Sequence, residues 1–175
     1  VTVERVADDG VHRDYDLLDD RGRSLRLVVL DGDRQVLGSV TRLWRALRLR
    51  GIEGRAYVSL RQAAERIALL SHAARVAGVR TPLLLAVSEA KDSMLLVELA
   101  LPPRTEEDEA EPGDGLLADA WAQLLAAHRV GITHRAVCRR TLQVRSGEVW
   151  LTGWDAGGVA SAELSRRVDL AQMLT

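Results

Sequence analysis

Short apolar and β-prone stretches open the chain, at 2–6, 13–18 and 25–30, and Asp8-Asp9-Gly10 and Asp19-Asp20-Arg21-Gly22 separate them. Clusters of Asp and Gly are turn formers, so the pattern predicts three antiparallel strands joined by tight turns. The period then changes. Val36, Leu37, Val40, Leu43, Trp44 and Leu47 recur at helical spacing, with Arg42, Arg45 and Arg48 off that stripe and Gly51 as a stop. A second helix is predicted from Ser59, a residue suited to an N-cap, to about Val76, with Gly78 behind it. Strands follow at 83–87 and 94–99, and the polar turn 89–93 makes them a hairpin.

Residues 102–115, PPRTEEDEAEPGDG, are acidic, rich in Pro and Gly and nearly free of large apolar side chains. Such a composition predicts a mobile linker or an exposed loop. Beyond it the helical period returns over 116–129, with Leu117, Trp121, Leu124, Leu125 and His128 in register. Two short strands, 142–144 and 149–151, turn at Ser146-Gly147. A glycine-bearing loop at 156–158 leads into a last helix that is still running at Thr175.

Composition narrows the classes of function. The 175 residues carry a net charge of -1, so no whole-chain field favours nucleic acid. Cys138 is the only cysteine, which excludes an internal disulfide and a thiolate zinc site and suits a reducing compartment. No apolar run approaches the ~18 residues of a membrane span, and no signal peptide is visible. The chain starts at Val1 and ends inside a helical pattern, as a piece cut from a longer protein would.

The order of elements, together with four local strings, resembles the protein-kinase and aminoglycoside-phosphotransferase families. AAERIALLSHAARVAGVRTPLLLAV (63–87) looks like the small-lobe helix with its glutamate, here Glu65, and the Gly-Val-x-x-Pro lead into the next strand. AWAQLLAAHRVGITHRAVCRRTLQV (120–144) looks like the large-lobe helix entering the catalytic loop. GEVWLTGWDAG (147–157) looks like the strand pair ending at the metal-binding turn, and RRVDLAQML (166–174) like the next helix, with Asp169 at a commonly acidic structural position. DRQVLGSVTRLWRALRLRG (33–51) is similar to a segment of actinobacterial polytopic membrane proteins, which join a kinase-like cytosolic domain to a flippase-like region of the lysylphosphatidylglycerol synthase type. The resemblance implies a reduced two-lobed α+β fold. An antiparallel sheet plus helix would form a first lobe over 1–99, an acidic hinge 100–115, and a truncated, mostly helical second lobe 116–175.

Phosphoryl transfer in such a fold needs a third-strand lysine, a catalytic-loop aspartate, an asparagine five residues later and a metal-binding aspartate in the next turn. The matching positions here are Val28, Ala136, Thr141 and Gly153. A hard cation with phosphate needs oxygen ligands that Ala, Val and Gly side chains do not offer. The first turn, ADDGVHRD (7–14), has one glycine and two adjacent acids, which repel a nucleotide. The expectation is a pseudokinase with no catalysis, no cofactor and no bound metal.

Individual residues carry competing readings. Asp155, two residues past Gly153, is either a displaced metal ligand or a turn residue capping a backbone N–H; the missing base and second ligand favour the turn. His134 is either a general base or, as its family counterpart does, a brace for the loop through backbone hydrogen bonds; the brace is favoured. His128 sits on an apolar helix face and reads as core. His12 and His72 have no spaced partner. Cys138 reads as an ordinary thiol, although the two arginines after it would favour a thiolate. Glu65, without its lysine, is expected to pair with an arginine or to face solvent.

The expected role is a binding or regulatory module on the cytosolic face of a bacterial cell membrane. Its partner would be a protein or the membrane region of its own chain, with no nucleic acid involved. Arg42, Arg45 and Arg48 are either a solvated face or a contact with anionic lipid. Two alternatives stand beside this reading. One is a small-molecule phosphotransferase centred on Asp155. The other is a weak, magnesium-independent nucleotide sensor using the backbone of 95–100.

Overall fold

A computed structural model of the chain describes residues 2–8, 12–31, 60–91, 93–109, 113–160 and 162–174. The helix expected over 36–50, its Arg42, Arg45 and Arg48, and the N-cap Ser59 lie outside these residues. The fold is α+β. By contacts it divides into two compact units: the described residues up to Glu65 with Leu84–Ala100, and Arg66–Leu83 with those from Leu101 onward. The second unit thus takes in 66–83 and 101–115, which the sequence division assigns to the first lobe and to the hinge.

The first unit is built on five antiparallel strands, β1 (Thr2–Asp8), β2 (His12–Leu18), β3 (Ser24–Asp31), β4 (Leu84–Ala90) and β5 (Ser93–Leu99), in the order β1-β2-β3-β5-β4. The predicted three-strand meander is present, and its second turn has a clear chemical cause. The Asp19 carboxylate accepts the N–H groups of Arg21 and Arg23 at 2.9 and 2.7 Å, and Gly22 supplies a φ of 72°. The connection at 89–93 is shorter than expected: Ala90 still pairs with Ser93, and Lys91 turns the corner with φ 54°. Val29, Leu30, Met94 and Leu96, on the central strands, are buried. β4, at the sheet edge, is exposed along most of its length.

Helix α1 (Leu60–Val76) follows the predicted period and ends as predicted. Gly78, at φ 87°, lets its N–H bond the Arg75 carbonyl and the Val79 N–H bond that of Ala74, both at 3.0 Å. The rest of the second unit comprises α2 (Asp114–Arg129), the hairpin β6 (Leu142–Arg145) and β7 (Glu148–Leu151), and α3 (Glu163–Met173). Ser146 and Gly147 both have positive φ, 51° and 74°, as a two-residue hairpin turn of type I′ requires. The core gathers Leu70, Ala74, Val79, Ala127, Ile132, Leu151 and Trp154. The indole N–H of Trp154 is not wasted there, because it donates to Thr81 Oγ1 at 3.0 Å. Among the described residues no helix is long and apolar enough to cross a membrane.

The acidic segment departs from the expected linker. Residues 106–109 form a 3-10 turn, and α2 starts at Asp114, inside the segment. Asp108 is buried, and its carboxylate accepts N–H groups from Ser146, Gly147 and Thr105 at 2.9, 2.9 and 2.8 Å. Those bonds hold its carboxyl far below the usual aspartate range. One side chain therefore ties the segment to the β6–β7 turn, and composition alone does not reveal it.

Two glycines of this unit should respond oppositely to Ala. A Cβ on Gly157 would meet the Thr133 and Trp154 carbonyl oxygens at 3.0 and 3.1 Å, and neither backbone oxygen can step aside. Gly157→Ala is expected to cost about 1–3 kcal/mol in urea unfolding. Gly115 is helical and meets nothing within 4 Å, so Gly115→Ala should stabilise by about 0.5–1 kcal/mol.

Candidate functional site

The loop 134–141 is positioned from both ends. After α2 the chain reverses at Gly131, φ 80°, where the Ile132 N–H returns to the Ala127 carbonyl at 3.0 Å. Thr133 then exchanges two backbone bonds with Gly158, at 3.0 and 2.9 Å, which fixes the start of the loop beside 153–158. Arg66 of α1 donates to the Gly157 carbonyl on the same stretch.

His134 is fully buried and braces the loop. Its Nε2 lies 2.8 Å from the Thr152 carbonyl and its Nδ1 3.3 Å from the Ala136 N–H. A carbonyl only accepts and an amide N–H only donates, so the proton sits on Nε2. Burial pushes the pKa of the imidazole down, outweighing the Thr152 carbonyl and the Asp155 and Asp169 charges. The neutral ring packs edge-on against Trp154, with ring centroids 4.8 Å apart. Both ring nitrogens are engaged, so neither is left to accept a proton from a substrate.

Asp169 on α3 collects the other end of this framework. Its Oδ2 accepts the His134 N–H at 2.8 Å and lies 2.8 Å from His128 Nε2, and its Oδ1 accepts the Arg135 N–H at 2.5 Å. Arg135 has φ 63°, uncommon for a non-glycine residue, and this turn aims two successive N–H groups at one carboxylate. Gln172, one turn further along α3, accepts the Val137 N–H at 3.0 Å and donates to the Arg135 carbonyl at 3.2 Å. His128 is buried as expected, but as the partner of Asp169 rather than as an apolar filler.

Three of the four positions compared with catalytic residues meet here, and each has a structural task. Ala136 offers its N–H to His134 and its carbonyl to the Thr141 hydroxyl, at 2.9 Å. Thr141 Oγ1 also accepts the Cys138 N–H at 2.9 Å, closing the loop on itself. Gly153 takes φ 75°, and a Cβ there would stand 3.2 Å from Thr141 Cγ2, so an aspartate would be strained as well as crowded. Val28 lies in the first unit, on β3 opposite Asp14 and Leu96. The nearest cation on its own strand is Arg26, which is held by Asp14 at 2.5 Å.

Of the remaining candidates, Glu65 is exposed and pairs with Arg61 at 3.0 Å, one turn back on its own helix. Asp155 sits in the 3-10 turn 154–156. Cys138 is exposed. Burial raises its pKa, and bonds from Thr141 and Arg140 more than offset this, so the net shift is downward. His72 is exposed, and the side chain of His12 lies outside the described residues. Among the described residues no group of three or more His, Cys, Asp or Glu side chains is placed to hold a metal ion.

Residue-by-residue reading missed two networks. Asp119 on α2 accepts from Arg80, from Gln123 at 3.2 Å and from the Val149 N–H at 2.9 Å, while the Gln123 amide oxygen takes the Arg80 N–H at 2.7 Å. The partners come from segments far apart in sequence, and no local pattern announces them. Asp108 did leave a signal, the Thr105-x-x-Asp108 spacing of a capping box. A comparison with protein-family models and a search of curated proteins find no match to the chain.

Two outcomes follow. Asp169→Ala would orphan the buried His134 N–H and the His128 ring, at about 1–3 kcal/mol each, and the part-buried Arg135 N–H at less. Urea unfolding should show a loss of roughly 3 kcal/mol or more. The depressed His134 pKa means that the unfolded chain binds the proton more readily, so stability falls as the pH drops through the ordinary histidine value of 6.5. Asp108 and Asp119 have lowered pKa values and titrate below this window. Part of the slope of unfolding free energy between pH 7.5 and 5.5, at most about 1.4 kcal/mol per pH unit, should vanish in His134→Gln.

Proposed function

We propose that this chain is a kinase-like domain without phosphotransfer activity that acts as a binding or regulatory module. The observation that carries the reading is the employment of Ala136, Thr141 and Gly153. Ala136 and Thr141, compared with a base and a metal ligand, are engaged in closing a loop, and Gly153, compared with the other ligand, has no side chain and turns the chain with a left-handed backbone. His134 supports the same reading, because its neutral ring is used at both nitrogens. The kinase-like resemblance is supported by Asp169, the commonly acidic position of that resemblance, which receives the amides of His134 and Arg135.

A module of this kind works by presenting a surface, in this reading to a protein partner or to the membrane region of a longer chain on the cytosolic side. Positive charge on β3 is limited to Arg26, already neutralised by Asp14, so a nucleotide would find no free cation on that strand. The phosphotransferase reading would need Asp155 to hold magnesium without a second carboxylate from 136, 141 or 153.

The test is thermal unfolding with and without millimolar ATP, each with and without magnesium, since a ligand of the folded state alone raises the midpoint by mass action. No shift under any condition is expected. A shift that needs magnesium and disappears in Asp155→Ala would restore the phosphotransferase. A shift indifferent to magnesium would make the domain a nucleotide sensor.

A further inference from the structure

His134 is a titratable ring with no exposed surface, and its two nitrogens respond differently to a proton. Nε2 donates to the Thr152 carbonyl, a bond that survives whether the ring is neutral or charged. Nδ1 accepts the Ala136 N–H, a bond that exists only while Nδ1 carries no proton of its own. A second proton on the ring would set one N–H against another in a site closed to water.

The loop beyond the ring costs little to release. Of residues 135–141 only Val137 is buried. Past Arg135 the loop is fastened to its surroundings by the Ala136 N–H on Nδ1 and the Val137 N–H on Gln172 Oε1, and it is closed by the Thr141 hydroxyl on the Ala136 carbonyl. Ala136, Thr141 and Gln172 are all part-buried, so water can replace these partners on opening. His134 and Arg135 are fastened separately, by their amides on Asp169. A hinge just after Arg135 leaves those two bonds in place.

The charges around the ring act on the same step. Asp169 of α3 and Asp155 of the 154–156 turn both attract an imidazolium. His128 of α2 faces the same Asp169 through Nε2, and a proton added to His128 Nδ1 leaves that bond and the loop undisturbed. Arg135 holds its guanidinium on Ser165 Oγ, and Arg66 of α1 donates to the Gly157 carbonyl. Burial of the ring opposes its charging more strongly than the two carboxylates favour it, and only opening relieves burial.

We propose that His134 is a proton-operated latch: a proton on Nδ1 releases residues 136–140 while the rest of the unit stays folded. The closed loop holds the neutral ring, and the open loop gives Nδ1 to water, where the ordinary histidine value of 6.5 applies. The open population is therefore constant above that value and rises about tenfold per pH unit as the pH falls below it. The latch needs only these hydrogen bonds, so it is independent of the kinase-like reading.

Amide hydrogen exchange followed by NMR, corrected for the intrinsic pH dependence of exchange, tests it. Protection at Ala136 and Val137 should fall about tenfold from roughly pH 6.5 to 5.5. That exchange should be indifferent to a low concentration of urea, as a local opening is. Leu151 and Ala127, in the core, should exchange faster when the same urea is added, as amides released by global unfolding do. His134→Gln should remove the pH dependence at Ala136 and Val137. In the wild-type chain the ring signal of His134 should titrate with the same midpoint as that exchange, a reading that stands even where His134→Gln does not fold. Protection at Ala136 and Val137 that is unchanged on acidification overturns the latch. So does a loss accelerated by urea together with the core amides, because the proton then unfolds the whole unit. A pH dependence that persists in His134→Gln, or a midpoint different from that of the ring, assigns the opening to another group and overturns it as well.

Discussion

One buried carboxylate organises the second unit. Asp169 receives two consecutive backbone N–H groups and a histidine ring, and has no exposed surface of its own. A carboxylate removed from water is tolerated only when donors surround it. The demand is reciprocal, because the loop must present the His134 and Arg135 amides together, and that requires the left-handed turn at Arg135. Once the turn is made, the His134 ring points inward to Thr152 and Trp154, and the chain beyond it must close through Thr141. The helix end at His128, the loop and α3 are thereby one hydrogen-bonded assembly rather than three packed pieces.

This assembly holds the loop in shape through hydrogen bonds of its own backbone and side chains. In a working phosphotransfer site, charged residues are positioned by a frame and then spent on substrate and metal. Here two of the positions compared with those charged residues, Ala136 and Thr141, take part in the hydrogen bonds that close the loop. Gly153 illustrates the difference. Its left-handed backbone and its closeness to Thr141 suit glycine and disfavour the aspartate that a metal would require. Cooperation of this kind also makes the polar network costly to break, since each lost partner leaves a buried group without an alternative in water.

How much of this was legible beforehand depends on how local each cause is. The β6–β7 turn was readable because Ser146-Gly147 needs positive φ at both positions, a property of those two residues. The end of α1 was readable because Gly78 acts within a turn of where it stands, whereas Gly131, which does the same for α2, was not singled out. His134 as a brace and Asp169 as a structural acid were expected from the resemblance, and the hydrogen bonds of both match that expectation. What stayed hidden was non-local. The run 102–115 reads as linker because composition averages over six acids, whereas one of them, Asp108, is fixed by amides nearly 40 residues away. The Arg80–Asp119–Gln123 network joins segments that only the fold brings together. The pairing of Glu65 with Arg61 was half legible: losing a lysine predicts a change of partner but not which arginine supplies it.

The measurement that bears most directly on the loop as a self-sufficient frame is amide hydrogen exchange at His134 and Arg135, with and without ATP and magnesium. The account predicts strong protection at both amides in the free protein, unchanged by ATP and magnesium, because Asp169 alone satisfies them. Fast exchange in the free protein, slowed only when ATP and magnesium are added, would mean that ligand rather than Asp169 orders the loop, and would contradict the account.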